Sequence, residues 1–435
     1  VTSAPITGAA LDLCILFIAL IPLALAGFAL MTTGYGRSRS AAHSMLSSIA
    51  SMAAAALTFC IIGFRWTGVA GGPALTLHLH GTPWNWLGRG PLLLHGLAQI
   101  GAPAVLLVLF HIFAVGLASM IPISAGADRW RLPATCVSSA LLAGLTYPLF
   151  AHWVWAGGWL AQLGLNFGLG VGFMDAGGAA SVHVLGGLTA LAITWILGPR
   201  LGRYSADGIT SAIPGHNIVY VLFGCVLMLP GWVGLNGAGA LLFAAEQPAD
   251  LPMIALNTIL SALAATLAAM VATRIRFGKP DASLSANGFV GGLVASSAVA
   301  IVVSPLEAVV IGMIAGWIVM VSAETLEVRL AVDDPGGAIS VHVVAGCWGL
   351  LAVGLFARGA SATAATSGQM LAQIVGIATL LGCVLPISFA LNSLLNRFVP
   401  YRAEPEAEWM GMDLSELGAG AYPEFSIHRD DAKRF

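Results

Sequence analysis

Two histidines stand apart by residue type and by spacing. Residues 175–187 read DAGGAASVHVLGG and residues 334–346 read DPGGAISVHVVAG; nine of thirteen positions are identical, in register, 159 residues apart. Each motif opens an apolar stretch and carries one histidine, His183 or His342. An ionisable side chain inside a membrane is costly, so it pairs or lines a polar path. Two neutral imidazoles can satisfy one another, one ring N–H donating to the bare nitrogen of the other ring. Protonating either would break that bond and place a charge in low dielectric. A neutral pair can line a narrow pore, hydrogen-bond a small amine or relay a proton. The competing reading is a packing pair that only pins two helices together; placement at equivalent repeated positions weighs towards function. Zinc is a weaker rival, because no Cys or carboxylate stands at ligand spacing from either histidine.

The surrounding elements must be membrane helices. Of the 435 residues, 58% are hydrophobic and 9% charged, and the mean hydropathy is +0.89. A water-soluble domain of this length could not carry so apolar a surface. Eleven stretches are long enough to span a bilayer: about 11–33, 43–65, 92–120, 133–156, 180–198, 216–236, 252–273, 284–303, 306–329, 340–357 and 370–397. The motifs open the fifth and tenth, so five crossings separate them and their helices run in opposite directions. The expected fold is therefore all-α and polytopic. An inverted 5+5 repeat (about 11–198 and 216–357) is followed by one extra helix, 370–397. Residues 1–398 form the membrane domain and 399–435 a polar tail. In inverted repeats the transport site lies between the halves near the midplane, where His183 and His342 would meet. The chain has 53 glycines, many of them within these stretches, which suits close helix packing in lipid.

Loop charge sets the orientation. With the N-terminus outside, fifteen of the eighteen Lys and Arg fall in cytoplasmic loops or the tail, and only Arg65, Arg89 and Arg358 fall outside. The chain opens on Val1 without a basic n-region, which fits a removed signal peptide or a trimmed chain. The six cysteines lie in apolar stretches without CxxC spacing and read as small core residues. No basic patch points to nucleic acid, and no nucleophile–base set or cofactor motif points to an enzyme. His78 and His80 fall in the outer loop, while His95, His152 and His216 fall near helix ends, where interfacial placement is expected. Trp153 and Trp159 read as an aromatic belt, and Glu324 and Glu327 as partners of Arg329.

At these motifs the chain resembles the Amt/Mep/Rh ammonium transporter family, closer to the Amt branch, over about residues 8–425. The D-x-x-G-G…V-H pattern is matched by Asp175, Gly177, Gly178, Val182 and His183. The V-D-D…V-H-x-x-x-G-x-x-G stretch is matched by Val332, Asp333, Asp334, Val341, His342, Gly346 and Gly349. Trp155, Ala156, Gly157 and Gly158 match the W-G-G-G motif, and Gly231, Trp232, Gly234 and Asn236 match G-W-x-G-x-N. Arg276, Gly278, Lys279 and Pro280 match R-x-G-K-P, and GMDLSELGAGAYPEF matches the family's tail segment. The resemblance implies a homotrimer in the cell membrane, one twin-histidine pore per subunit, and transport of ammonium or methylammonium. It also implies a cage around Trp155, supported by Asp175, that recruits the cation, and a PII-type regulator docking on the tail.

Departures cluster at the pore entrance. The family's two stacked phenylalanines fall at Leu235 and at Ala114, with Phe110 and Phe113 nearby. The cage serine falls at Gly239, a helix-3 glutamine at His111, the F-Y-G-G motif at MTTGYG (31–36), and a third aspartate at Gly337. A gate without stacked rings is expected to be wider or plugged by other groups, and the missing hydroxyl to weaken recruitment. His111 stands either as a compensating polar group or as a packed histidine. Ammonium transport is thus the first expectation. The alternative is an ammonium sensor with a transporter-like fold, which the end of the chain at Phe435 without a signalling segment weighs against. A Rh-like channel for neutral gas is a third reading, against which Trp155 argues.

Overall fold

Apolar runs of this length can cross hydrocarbon only as helices, because every backbone polar group must be satisfied within the segment. The computed structural model describes residues 8–205, 207, 210–356 and 367–422; Val1, Arg358, Arg429, Lys433 and Arg434 lie outside the described residues. Among these residues are eleven helices long and apolar enough to cross a membrane. They are α1 (Ala9–Tyr35), α2 (Ser38–Thr67), α3 (Ala102–Ala125), α4 (Leu132–Trp155), α5 (Ala179–Leu197), α6 (Ile218–Phe243), α7 (Leu251–Phe277), α8 (Ala282–Val299), α9 (Pro305–Arg329), α10 (Ile339–Phe356) and α11 (Gln369–Leu395).

The two halves pack alike. α2 packs on α3 and α4 as α7 packs on α8 and α9; α3 packs on α5 as α8 packs on α10. Equivalent helices also cross each other. α1 meets α6 where a Cβ on Gly27 would lie 2.5 Å from the Gly224 carbonyl, and a Cβ on Gly224 2.5 Å from that of Gly27. Small residues at a crossing let two backbones meet, which is the main source of helix association in lipid. α11 lies outside the repeat, against α5 and α10.

Some boundaries depart from the sequence reading. The third span begins at Ala102, not at 92. Leu93 and Leu94 (φ 54°), Gly96 (φ 76°) and Gly101 (φ 105°) break the backbone before it. The sixth runs on to Phe243, through glycines that individually disfavour helix. Gly234 abuts the Phe17 carbonyl, where a Cβ would lie 2.5 Å away, so contact with α1 outweighs propensity. The loop after α2 is not merely interfacial: β1 (Ala74–Leu79) pairs antiparallel with β2 (Thr82–Gly88) around His80–Gly81. Positive φ at both turn residues matches the right-handed strand twist of a tight hairpin. His78 and His80 are exposed on it.

Several side chains also differ from expectation. Trp153 and Trp159 do not form a belt at the lipid surface. Trp159 stacks on Trp86 of β2 at 5.5 Å, and the Trp153 indole donates to the Trp86 carbonyl at 2.8 Å. His152 is buried rather than interfacial, its Nδ1 2.8 Å from the Thr67 carbonyl. Glu324 pairs with Arg276 at 2.6 Å and Glu327 with Arg203, instead of with Arg329. Adjacent helices bring partners from distant sequence closer than the local i+5 and i+2 neighbours.

All the loops rich in arginine fall at one end of the bundle, together with the tail. The tail is docked there. The buried Glu408 carboxylate accepts from Leu201 N at 2.6 Å and from Arg402 at 3.0 Å. Asp413 accepts from the backbone N–H groups of Ala42 (3.2 Å) and His43 (2.7 Å), and Glu416 from Leu132 N at 2.8 Å. Carboxylates on helix-start amides satisfy donors that the helix leaves open.

Candidate functional site: a histidine pair and an aromatic end

The two motifs are built alike. Gly178 (φ 86°) and Gly337 (φ 70°) occupy equivalent left-handed positions, where a side chain would be strained. The aspartate three residues earlier then caps the helix start. Asp175 Oδ2 accepts from the Ser181 N–H and hydroxyl, both at 2.8 Å; Asp334 accepts from Ala338 N (3.0 Å) and Ile339 N (2.7 Å). Gly337, which stands where the family carries an aspartate, also lies against the Asn287 amide and leaves no room for a Cβ. Each helix opens with a π-helical turn, Ala179–Val184 and Ile339–Val344, that carries the histidine. Such turns concentrate at functional sites. The closing glycines interlock: a Cβ on Gly187 would lie 2.7 Å from Val343 Cγ2, and one on Gly346 2.6 Å from Val184 Cγ2.

This interlocking brings His183 and His342 together. Both are wholly buried, with ring centroids 5.4 Å apart and planes 25° from parallel. The reciprocal hydrogen bond expected from the sequence is not formed. The rings stack, and His183 Nδ1, His183 Nε2 and His342 Nδ1 have no hydrogen-bond partner among the described residues. Trp232 explains the geometry: it lies flat on His183 at 4.6 Å and 11°, turning that ring face-on to its neighbour, while Phe28 meets His342 edge-on at 5.6 Å. A small cavity on the arginine side of His342 is lined by Phe28, Thr32, Tyr35 and Ser124. The Tyr35 hydroxyl ends it, 2.7 Å from Asn287 Oδ1 and 2.9 Å from the Ser283 carbonyl.

At the opposite end lies an aromatic cluster around Trp155. Its indole donates to the Asp175 carbonyl at 2.6 Å, and Phe243 covers one indole face at 4.3 Å and 5°. Phe110 meets Trp155 edge-on at 5.8 Å and Phe243 at 5.1 Å. Where the resemblance implied a pair of stacked rings at Ala114 and Leu235, two rings meet nearer the Trp155 end instead. Phe110 is four residues from Ala114, and Phe243 eight from Leu235, so the rings sit about 6 and 12 Å nearer the Trp155 end along their helices. Ala114 and Leu235 are wholly buried, and the half-buried Phe113 takes no part in the ring cluster. Gly239 has a packing cause: a Cβ there would strike the Ala176 carbonyl, so this backbone excludes the serine that the resemblance implied. His111 is buried against Trp155, with Nδ1 2.8 Å from the Tyr147 hydroxyl.

Sequence reasoning missed Phe243 and Tyr147. Both were visible as periodicity: Leu235, Gly239 and Phe243 repeat every four residues along one face, and Tyr147 lies two turns before Trp155.

Charge differs between the ends. Asp175 Oδ1 is buried without a partner among the described residues, and burial pushes this carboxyl up to about 6 against the opposing bonds from Ser181. At the arginine end, Arg200 grips Asp333 through Nε (2.9 Å), Nη2 (3.0 Å) and its own backbone N–H (2.8 Å). It also reaches Asp128 at 3.2 Å. Burial alone would raise Asp333, but Arg129 and Arg200 hold it down at about 2. Among the described residues no group of three His, Cys, Asp or Glu is arranged to hold a metal ion.

Eleven spans in inverted halves, with an unpartnered histidine pair at their crossing, define a polytopic membrane protein of the transporter or channel class. Residues 13–422 match the profile described as Ammonium Transporter Family. The chain is 36% identical over 424 residues to ammonium transporter Amt2 of Archaeoglobus fulgidus, covering 92% of this chain and 85% of that one. It is 30% identical to the ammonium transporter of Bacillus subtilis, covering 91% and 94%. Among solved structures, a sensor Amt protein superposes with TM-score 0.85 at 26% identity, over 94% of this chain and 98% of that one. Candida albicans Mep2, at 22% identity and TM-score 0.77 over 96% and 91%, shares the fold. The chain belongs to the ammonium transporter family.

Proposed function

We propose that this protein carries ammonium or methylammonium across a cell membrane, entering at the Trp155 end. The positive-inside asymmetry supports that end being outside and the arginine end, with the tail, being cytoplasmic. A cation is drawn by the ring cluster, since aromatic faces attract desolvated cations, and by the unpartnered oxygen of Asp175. Phe243 occupies one face of Trp155, so the cation uses the other face or displaces that ring. Taking the whole ion through an apolar path is costly. Releasing a proton lets neutral ammonia pass, and the histidine nitrogens offer it hydrogen bonds and offer the proton a route. Ions that cannot deprotonate are excluded on the same ground. The observation that carries this reading is the stacked pair His183–His342, with three ring nitrogens that have no hydrogen-bond partner among the described residues. By the same resemblance the protein is a homotrimer with one pore per subunit, and its docked tail is where a PII-type regulator would act.

Uptake of labelled methylammonium into proteoliposomes tests the proposal. His183→Ala or His342→Ala should change rate or charge coupling, and intact uptake and coupling in both variants would reject the pair as the path. The likeness to a sensor Amt protein supports a second reading, an ammonium receptor. Saturable ammonium binding without flux or current would favour it.

A further inference from the structure

We propose that His111, oriented by Tyr147, is the nitrogen acceptor of the Trp155 cation site and gives that site its preference for cations bearing N–H groups. The inference rests on the recruitment reading above. His111 is 1% exposed, and its ring is walled by Phe59 at 5.1 Å, Trp155 at 5.6 Å, and Phe110 and Phe243 at 6.0 Å. Nδ1 is engaged by the wholly buried Tyr147 hydroxyl at 2.8 Å. The one hydrogen bond of this ring among the described residues is made by Nδ1, and Nε2 makes none. When Nδ1–H donates to the Tyr147 oxygen, Nε2 is left with a bare lone pair inside the aromatic cluster.

The chemistry of the remaining groups makes this lone pair decisive. Aromatic faces attract any desolvated monovalent cation and do not read N–H groups. The Asp175 oxygen attracts by charge and is likewise indifferent. Gly239 cannot carry a hydroxyl, because a Cβ there would strike the Ala176 carbonyl. An imidazole nitrogen accepts a directed hydrogen bond from ammonium, whereas hard alkali cations prefer oxygen ligands. An oxygen acceptor at this place would serve potassium as well. His111 therefore touches the substrate, and Tyr147 is a positioning residue that holds the ring through Nδ1; a bound N–H cation selects the tautomer in which Nδ1–H donates to the Tyr147 oxygen.

The test uses the full chain in proteoliposomes, with methylammonium uptake measured against concentration and against added potassium. For His111→Phe the half-saturation should rise about tenfold, the worth of one well-made hydrogen bond, with maximal rate falling much less. For His111→Gln, which offers an oxygen, half-saturation should rise less, while inhibition by potassium strengthens about tenfold. Tyr147→Phe should raise half-saturation by a smaller factor, and a purely structural role would instead lower the maximal rate. Wild-type half-saturation and potassium insensitivity in the near-isosteric His111→Gln would overturn the assignment. Wild-type protein that neither takes up nor binds methylammonium would instead defeat the recruitment reading itself.

Discussion

The motifs at 175–187 and 334–346 share nine of thirteen residues, yet they meet different surroundings. At the Trp155 end, Asp175 spends one oxygen on the helix cap and leaves the other buried and, among the described residues, unpartnered. At the arginine end, Asp334 uses both oxygens on backbone N–H groups, and the preceding residue, Asp333, is clasped by Arg200. One fold element has thus been used twice, once as a polar opening and once as a lock. The cap and π turn position the histidine in both copies; under the proposed function, what lies beyond the cap sets which end receives the cation.

The largest effect should come from breaking the lock. Asp333→Ala removes the carboxylate that Arg200 clasps and that lies beside Arg129, leaving Arg200 only its longer contact to Asp128, and losing one partner of a buried ion pair costs about 3–5 kcal/mol. Thermal unfolding of purified protein in detergent should register this as a clear fall in Tm. The pH dependence has a definite sign. Asp333 is held at about 2 in the fold, below its ordinary value near 4. Its stabilisation is therefore complete above about pH 4 and is lost as pH falls towards 2. Tm measured down an acid series should fall less steeply in Asp333→Asn than in wild type.

At the cap aspartates the sign reverses, and it does so in both copies: burial raises Asp334, like its counterpart Asp175, to about 6. Asp175 is thus ionised and attractive to a cation above that pH and neutral below it. Apparent methylammonium affinity should weaken as pH drops through about 6, and Asp175→Asn should flatten that dependence. The same variant relieves a buried charge, so its Tm at neutral pH should not fall as that of Asp333→Ala does. A smaller effect is expected from Asp334→Asn, which loses part of a helix cap worth about 1 kcal/mol. It should lower Tm modestly.

Much of this was legible in the sequence. The span count, the inverted repeat and the convergence of His183 and His342 followed from periodicity and from an odd number of crossings. Non-local packing hid the rest. Nothing near His183 in sequence announces that Trp232, on α6, lies flat on its ring, and that contact replaces the expected His–His hydrogen bond. Position-by-position comparison at Ala114 and Leu235 registered missing rings and noted Phe110 nearby, but not Phe243, two turns beyond Leu235, as the ring that meets it. Gly239 read as a lost hydroxyl, whereas its cause is the backbone of Ala176 against it. Arginine positions could be assigned to an end by loop charge, but not to partners, because Arg200, Asp128 and Asp333 come from three different loops.

The contrast between the two ends is tested most directly by methylammonium half-saturation in proteoliposomes of Asp175→Asn and Asp334→Asn, measured side by side at neutral pH. The account predicts a rise of about tenfold for Asp175→Asn, equivalent to about 1.4 kcal/mol of lost attraction, and little change for Asp334→Asn. Equal shifts in the two variants would contradict it, because the two carboxylates would then be doing the same job.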